Sequence, residues 1–305
     1  MKKLLVIFTA GLALSACSKE APPAPEAAEA PPAPEVAVEA PAAPASPDLG
    51  AVLSAQPEDM QARYGARNPA ETLAFFGIEP GMTVVEALPG GGWYSKILLP
   101  YLGSEGKMIG VDYALDMFSL FGFFSDEALE KKKTWTTDFV AGAEEWRGES
   151  GAPVEAFVFG SMPEDYAGSA DAVLMIRALH NLNRFEAEGG YLTTALSDAF
   201  TVLKPGGTLG VVQHQAAEDM PDDWANGSNG YLKQSAVIAA AEAAGFVFVE
   251  ASDINQNPDD QPTADDMVWR LPPTLATSRE DETLREEMTA IGESNRMTLK
   301  FSKPE

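Results

Sequence analysis

Short β-branched and apolar runs alternate along this chain with longer stretches whose apolar side chains recur at helical spacing. The runs Met82 to Ala87, Lys107 to Asp112, Val154 to Phe159, Ala170 to Ile176, Thr208 to Val212, Phe246 to Glu250 and Met297 to Ser302 read as strands. Between them, Tyr94 to Leu102 and Tyr191 to Leu203 are helical in pattern, the second with Leu192, Ala195, Leu196, Ala199 and Leu203 on one face. Tyr231 to Ala244 is a further helix, closed by Gly245 in a left-handed turn. Ahead of the first strand, Pro57 to Phe76 forms a helical approach in which Asn68 is predicted to cap a turn that starts with Pro69. Ala114 to Val140 is helical in pattern as well, and its aromatic run Met117 to Phe124 either lines an apolar pocket or lid or packs a helix on the sheet. Strand alternating with helix predicts one α/β domain over residues 49–305. A long polar insert, residues 253–296, precedes the last strand where a hairpin would suffice, and such length is either functional or disordered. Within it, Trp269-Arg270-Leu271-Pro272-Pro273 points to an ordered part, placed as a cap over the site.

The N-terminal residues break this pattern. Lys2 and Lys3 precede the apolar run Leu4 to Leu14, which is too short to span a bilayer, so residues 1–16 read as a signal peptide. Leu14-Ser15-Ala16-Cys17 resembles a lipobox, which implies cleavage before Cys17, diacylglycerol on its thiol and an acyl chain such as palmitate on its new amine. Ser18 then implies sorting to the outer membrane, so the expected location is an envelope lipoprotein on the periplasmic side. Residues 17–48 are mostly Ala, Pro and Glu and are expected to be a disordered linker, extended at about 3.1 Å per residue. Cys17 is the only cysteine, so no disulfide or thiolate metal site is expected in the domain. A formal charge of −25 repels phosphate backbones and anionic lipid heads. The expected partner is therefore a small molecule, cationic or neutral rather than anionic, and not nucleic acid, with membrane contact only through the lipid on Cys17; the oligomeric state is not legible.

Candidate chemistry centres on the turn after the first strand. Glu86 closes that strand, and Gly90-Gly91-Gly92 follow, so backbone amides can approach a ligand at the start of the next helix. Asp112 ends the second strand, where dinucleotide-type folds place a carboxylate against ribose hydroxyls. Leu203-Lys204-Pro205-Gly206-Gly207 then leads into the fifth strand. Together these residues resemble the motifs of class I S-adenosylmethionine-dependent methyltransferases. More narrowly, Pro89-Gly90-Gly91-Gly92-Trp93-Tyr94 and Ile291 to Leu299 resemble a group of exported bacterial lipoproteins of methyltransferase type. The resemblance implies a Rossmann-like, seven-stranded, mostly parallel sheet with helices on both faces and an antiparallel seventh strand. It implies S-adenosylmethionine as cofactor, bound by Glu86, Gly90, Gly91, Gly92 and Asp112, with Ser161 and Met162 at the adenine and Arg177 beside them. Leu88 stands where the usual motif has a glycine, and it narrows the space beside the methionine end of the cofactor.

Ligands in open α/β sheets bind beyond the carboxyl ends of the strands. Both histidines of the chain fall there, His180 past the fourth strand and His214 past the fifth. His180 is the candidate base, with Asn181 as a polar positioner and His214 as its neighbour. The other readings are strand-end histidines bonded to loop carbonyls, or a metal site. Arg177 either binds an acidic group of the substrate or pairs with a surface carboxylate. No Asn-Pro-Pro-Tyr motif follows the fourth strand, which argues against nucleobase and glutamine amides as acceptors. The expected function is methyl transfer to a small-molecule acceptor at the envelope. S-adenosylmethionine is made in the cytoplasm, so the alternative is a non-catalytic lipoprotein that binds an adenosine-like small ligand.

Overall fold

The computed structural model describes residues 47–305; the predicted signal peptide, Cys17 and the linker up to residue 46 lie outside the described residues. Eight strands form the sheet: β1 (Thr83–Ala87), β2 (Lys107–Asp112), β3 (Val154–Val158), β4 (Ala170–Ile176), β5 (Leu203–Ala216), β6 (Leu232–Lys233), β7 (Val247–Ser252) and β8 (Arg296–Ser302). Their order is β3-β2-β1-β4-β5-β8-β7, with β6 paired to the end of β5. Neighbours among β1 to β5 are parallel, and β8 runs antiparallel between β5 and β7. This is the Rossmann-like sheet expected, with the order reversing between β1 and β4, where such sheets open a crevice.

Alternation along β1 explains the layers. Val85 and Ala87 face a core completed by the helices Tyr191–Val202 and Gln234–Ala243, whereas Val84 faces one completed by Pro69–Phe76, Ser95–Leu102 and Trp135–Arg147. Gly110 and Gly210 leave holes in the second face that Phe139 and Phe76 fill, since a Cβ would lie 2.3 and 2.7 Å from those rings. Pro100 cannot donate to the Lys96 carbonyl within its helix, and the Gln56 side chain donates to that carbonyl instead, at 3.0 Å. No helix among the described residues is long and apolar enough to cross a membrane.

Several boundaries differ from the sequence reading. The predicted helix from Tyr231 starts only at Gln234, because Leu232 and Lys233 pair with Gln215 and Ala216 as an eighth, short strand. Its end is as expected: Gly245 is left-handed at φ 102°, and the Phe246 amide donates to the Ala241 carbonyl. Lys204 to Gly207 is not a turn ahead of β5 but part of that strand, with a register shift opposite Ala170 and Ala172. Ala114 to Val140 breaks into Met117–Leu120, Asp126–Lys132 and Trp135–Arg147. Gly122 turns the chain at φ 74°, and Ser125 caps the next helix by accepting from the Ala128 amide. Met117 and Phe118 of the aromatic run are buried in the core, whereas Phe123 is 73 % exposed. Asn68 does not cap its helix with its side chain; it sits at φ 42° and donates instead to the Ile254 carbonyl at 2.7 Å, tying the helical approach to the insert.

Candidate functional site

Beyond the carboxyl ends of β1, β4 and β5 lies a cavity of about 480 Å³. Leu88 to Gly91, Arg177, His180 and His214 line it from the sheet side, Arg63 and Arg67 from the helical approach, and Val268, Trp269 and Leu271 to Thr274 from the insert. The insert thus contributes to the cavity wall a segment in which Val268, Arg270 and Leu271 are buried.

The glycine turn is built in steps. The Leu88 amide extends the β1–β2 ladder by donating to the Val111 carbonyl at 2.7 Å, after which Leu88 turns the chain at φ 54°. A bulky side chain in this left-handed region costs about 1–2 kcal/mol. Gly90, at φ 56°, has no atom nearer than 3.9 Å to an added Cβ, and Gly91 has none within 4 Å, so the space in front of both is open. Gly92 has a different role: a Cβ there would lie 2.3 Å from the Trp146 ring, so this glycine serves packing. Glu86 is buried and accepts a 2.6 Å hydrogen bond from the Ser95 hydroxyl. Burial raises its carboxyl to about 7, opposed by that bond. It does not line the cavity but fixes the first turn of the helix under the loop.

The remaining predicted residues lie elsewhere. Asp112 closes β2 with one oxygen on the Tyr113 amide and the other on Lys132 Nζ, each at 2.9 Å, while that ammonium also rests 4.4 Å from the Phe118 ring centre. Asn181 donates to the Tyr113 hydroxyl at 3.0 Å and so faces the Asp112 side rather than the histidines. Ser161 is exposed beyond β3, and Met162 packs against the core. None of these four lines the cavity. The open backbone at Gly90 and Gly91 fits a ligand approaching the loop, whereas one oxygen of Asp112 is already engaged by Lys132.

The two histidines do meet, with ring centres 5.5 Å apart. His180 is buried, with Nδ1 3.4 Å from Gln213 Oε1, and Gln213 is held by its bond to the Gly230 carbonyl at 3.0 Å. His214 Nδ1 lies 2.5 Å from the Ser294 hydroxyl. Burial, with Arg177 and Arg184 adding repulsion and the Gln213 bond opposing them, lowers His180 to about 4. His214 falls well below its ordinary value, by burial first and then by His180, Arg177, Arg296 and Arg67. Both rings are neutral at pH 7. Among the described residues no group of three or more His, Cys, Asp or Glu is placed to hold a metal.

Sequence reasoning missed the charged wall. Glu293 accepts from Arg63 at 2.5 and 2.8 Å, from Arg67 at 3.3 Å and from Arg296 at 3.2 Å. Burial alone would raise this carboxyl, but Arg67, Arg296 and Arg63 outweigh it and the net direction is down. Arg67 also lies 4.5 Å from the Trp93 ring centre. Burial and the charge of Arg177 lower Arg67 to about 9, and burial and Arg296 lower Arg177 to about 10, so both stay protonated at pH 7. Arg177 resembles Leu88 in backbone: its amide extends the β4–β5 ladder to the Val212 carbonyl at 2.6 Å, then it turns at φ 58°. Two non-glycine residues in the left-handed region thus face one cavity.

No protein-family model matches the chain, and no curated protein matches it. Among solved structures it is similar to a geranyl diphosphate C-methyltransferase from Streptomyces coelicolor, with 16% identity over 83% of this chain and 87% of that one and a TM-score of 0.49. It is also similar to a SAM-dependent methyltransferase from Aquifex aeolicus, at 19% identity over 68% and 93% with a TM-score of 0.40. An arsenic(III) S-adenosylmethionine methyltransferase from Chlamydomonas reinhardtii matches at 15% identity over 84% and 73%, TM-score 0.42. The likeness is one of fold.

Proposed function

We propose that this chain is an S-adenosylmethionine-dependent methyltransferase of a small-molecule acceptor, held on the periplasmic side of the outer membrane by lipid on Cys17. The observation that carries the reading is the convergence of open glycine backbone, Arg177 and two neutral histidines on one cavity at the switch point of the sheet. When bound, the cofactor supplies a methyl group on a positively charged sulfur, already reactive toward a nucleophile. The residues of the chain then have to align the acceptor and exclude water. The insert covers the cavity, and His180, neutral and fixed by Gln213, accepts the acceptor's proton.

A second reading has its own observation. Leu88 stands at the strained turn and narrows the space beside the methionine end, which favours a binding lipoprotein that keeps the fold for an adenosine-like ligand without transfer. Thermal unfolding with S-adenosylmethionine and with S-adenosylhomocysteine tests both readings. Stabilisation by the product with turnover of the donor supports the enzyme; stabilisation without turnover on any acceptor supports the binding protein. No shift with either compound refutes the enzyme. In the enzyme, His180→Ala keeps the shift and loses turnover.

A further inference from the structure

The cavity is cationic, although the chain carries a formal charge of −25. Three arginines share the single carboxylate of Glu293, and Arg177 makes no ion pair among the described residues. Lys96 and Asp59 also line it, one charge of each sign. Arg67 is 3 % exposed, yet its Nη1 finds no acceptor. Of the other buried acids, Asp260 is committed to Arg270 at 2.8 Å and to the Tyr231 hydroxyl, and Glu86 accepts from Ser95 and does not line the cavity. The protein's own carboxylates therefore leave positive charge uncompensated around the cavity. A desolvated guanidinium without an anion is costly, and a ligand that brings the anion removes the cost.

We infer that the small molecule taken by this cavity carries an oxyanion, a carboxylate or a phosphate, gripped by Arg177 with Arg67 beside it and presented to His180 and His214. Calling that molecule the methyl acceptor rests on the methyltransferase reading; the anion site itself does not. Arg177 is the anchor because its planar fork, at the first position after β4, is unspent and matches an oxyanion in bidentate fashion. The ring next to it, His180, sits at low proton affinity partly through the charge of Arg177. An arriving anion cancels that charge and makes the histidine a better proton acceptor only when substrate is present.

The test uses the full chain at low ionic strength, titrated calorimetrically with inorganic phosphate and with succinate, and with neutral succinamide as control. Phosphate or succinate should bind saturably and succinamide should not. Arg177→Met should weaken that binding at least tenfold, Arg177→Lys should keep part of it, and Arg279→Met, an exposed control, should keep all of it. The melting temperature of unliganded Arg177→Met should match or exceed that of the parent, because a crowded charge is gone. Without any variant, rising sodium chloride should weaken the anion and leave the melting temperature little changed. Absence of anion binding, equal binding of succinamide, or full affinity in Arg177→Met overturns the site. A final arm adds saturating S-adenosylhomocysteine. Simultaneous binding supports an acceptor anion, whereas one-for-one displacement means that the arginines hold the carboxylate of the donor and overturns the acceptor assignment. Anion binding to a chain that ignores S-adenosylhomocysteine retires methyl transfer and leaves the anion site standing.

Discussion

Replacing Glu293 by Gln removes the one carboxylate that Arg63, Arg67 and Arg296 share while keeping its shape and one of its two acceptor oxygens. At the observed separations of 2.5 to 3.3 Å, each pair attracts by about 5–7 kcal/mol at an effective dielectric of about 20. Desolvation cancels much of that, and breaking a buried pair on one side costs about 3–5 kcal/mol in practice. For a domain of this size each kcal/mol is about 2–4 °C, so the melting temperature of Glu293→Gln should fall by about 6–20 °C at pH 7. The pH dependence gives a sharper check. The Glu293 carboxyl titrates below its ordinary 4.5 in the folded chain. Its contribution is therefore complete above about pH 4.5 and disappears as pH falls through the lower folded value. Urea unfolding of parent and variant in parallel should show their difference shrinking only below about pH 4.5. A loss under about 1 kcal/mol at pH 7, or a difference that stays constant down to pH 3, refutes the claim that this carboxylate holds the three arginines together.

Other outcomes follow from single contacts. His180 sits at about 4 against an ordinary 6.5, so the unfolded chain takes up a proton that the folded chain refuses. Stability should be full above about pH 6.5 and fall by up to about 3 kcal/mol toward pH 4, and His180→Gln should flatten that fall in urea midpoints. Gly92→Ala forces a methyl against the Trp146 ring and should cost about 1–3 kcal/mol, whereas Gly91→Ala should fold as the parent does; equal melting temperatures would contradict the division between packing and ligand glycines. Lys132→Ala frees Asp112 from a partly exposed ion pair worth about 0.5–1 kcal/mol, so S-adenosylhomocysteine should bind about two- to fivefold more tightly. Weaker binding in that variant would mean that Lys132 helps hold the ligand.

Local chemistry explains what was legible in the chain. β4 reads directly as Ala170–Ile176 because its apolar run is short and bounded by turn residues, and Gly245 announces its helix end because only a left-handed residue closes that turn. Gly90 and Gly91, Arg177, His180 and His214 were all placed by their position just after a strand, and they do share the cavity. What failed depends on distant pairing. Leu232 and Lys233 leave their predicted helix for β5, a choice that helical spacing cannot encode. Asn68 is drawn from its cap by Ile254, 186 residues away. The arginine wall joins Arg63 and Arg67 to Glu293 across 230 and 226 residues. Its only sequence signal was a pair of arginines on the apolar helical approach and the acid-base run Glu293 to Arg296, neither unusual alone. Likewise Asp112 ends its strand as a ribose-binding acid would, but the helix that carries Lys132 to it starts from Ser125, inside a segment read as continuous helix.

The central claim is that the loop at Gly90 and the cavity before it receive S-adenosylmethionine. Calorimetric titration of the full chain with S-adenosylhomocysteine, beside Gly90→Val, tests it most directly. One saturable site is expected in the parent, with about 2.7 kcal/mol of added stability at a hundred times the dissociation constant, and loss of both in the variant. Absence of heat in the parent, or unchanged binding in Gly90→Val, would contradict it.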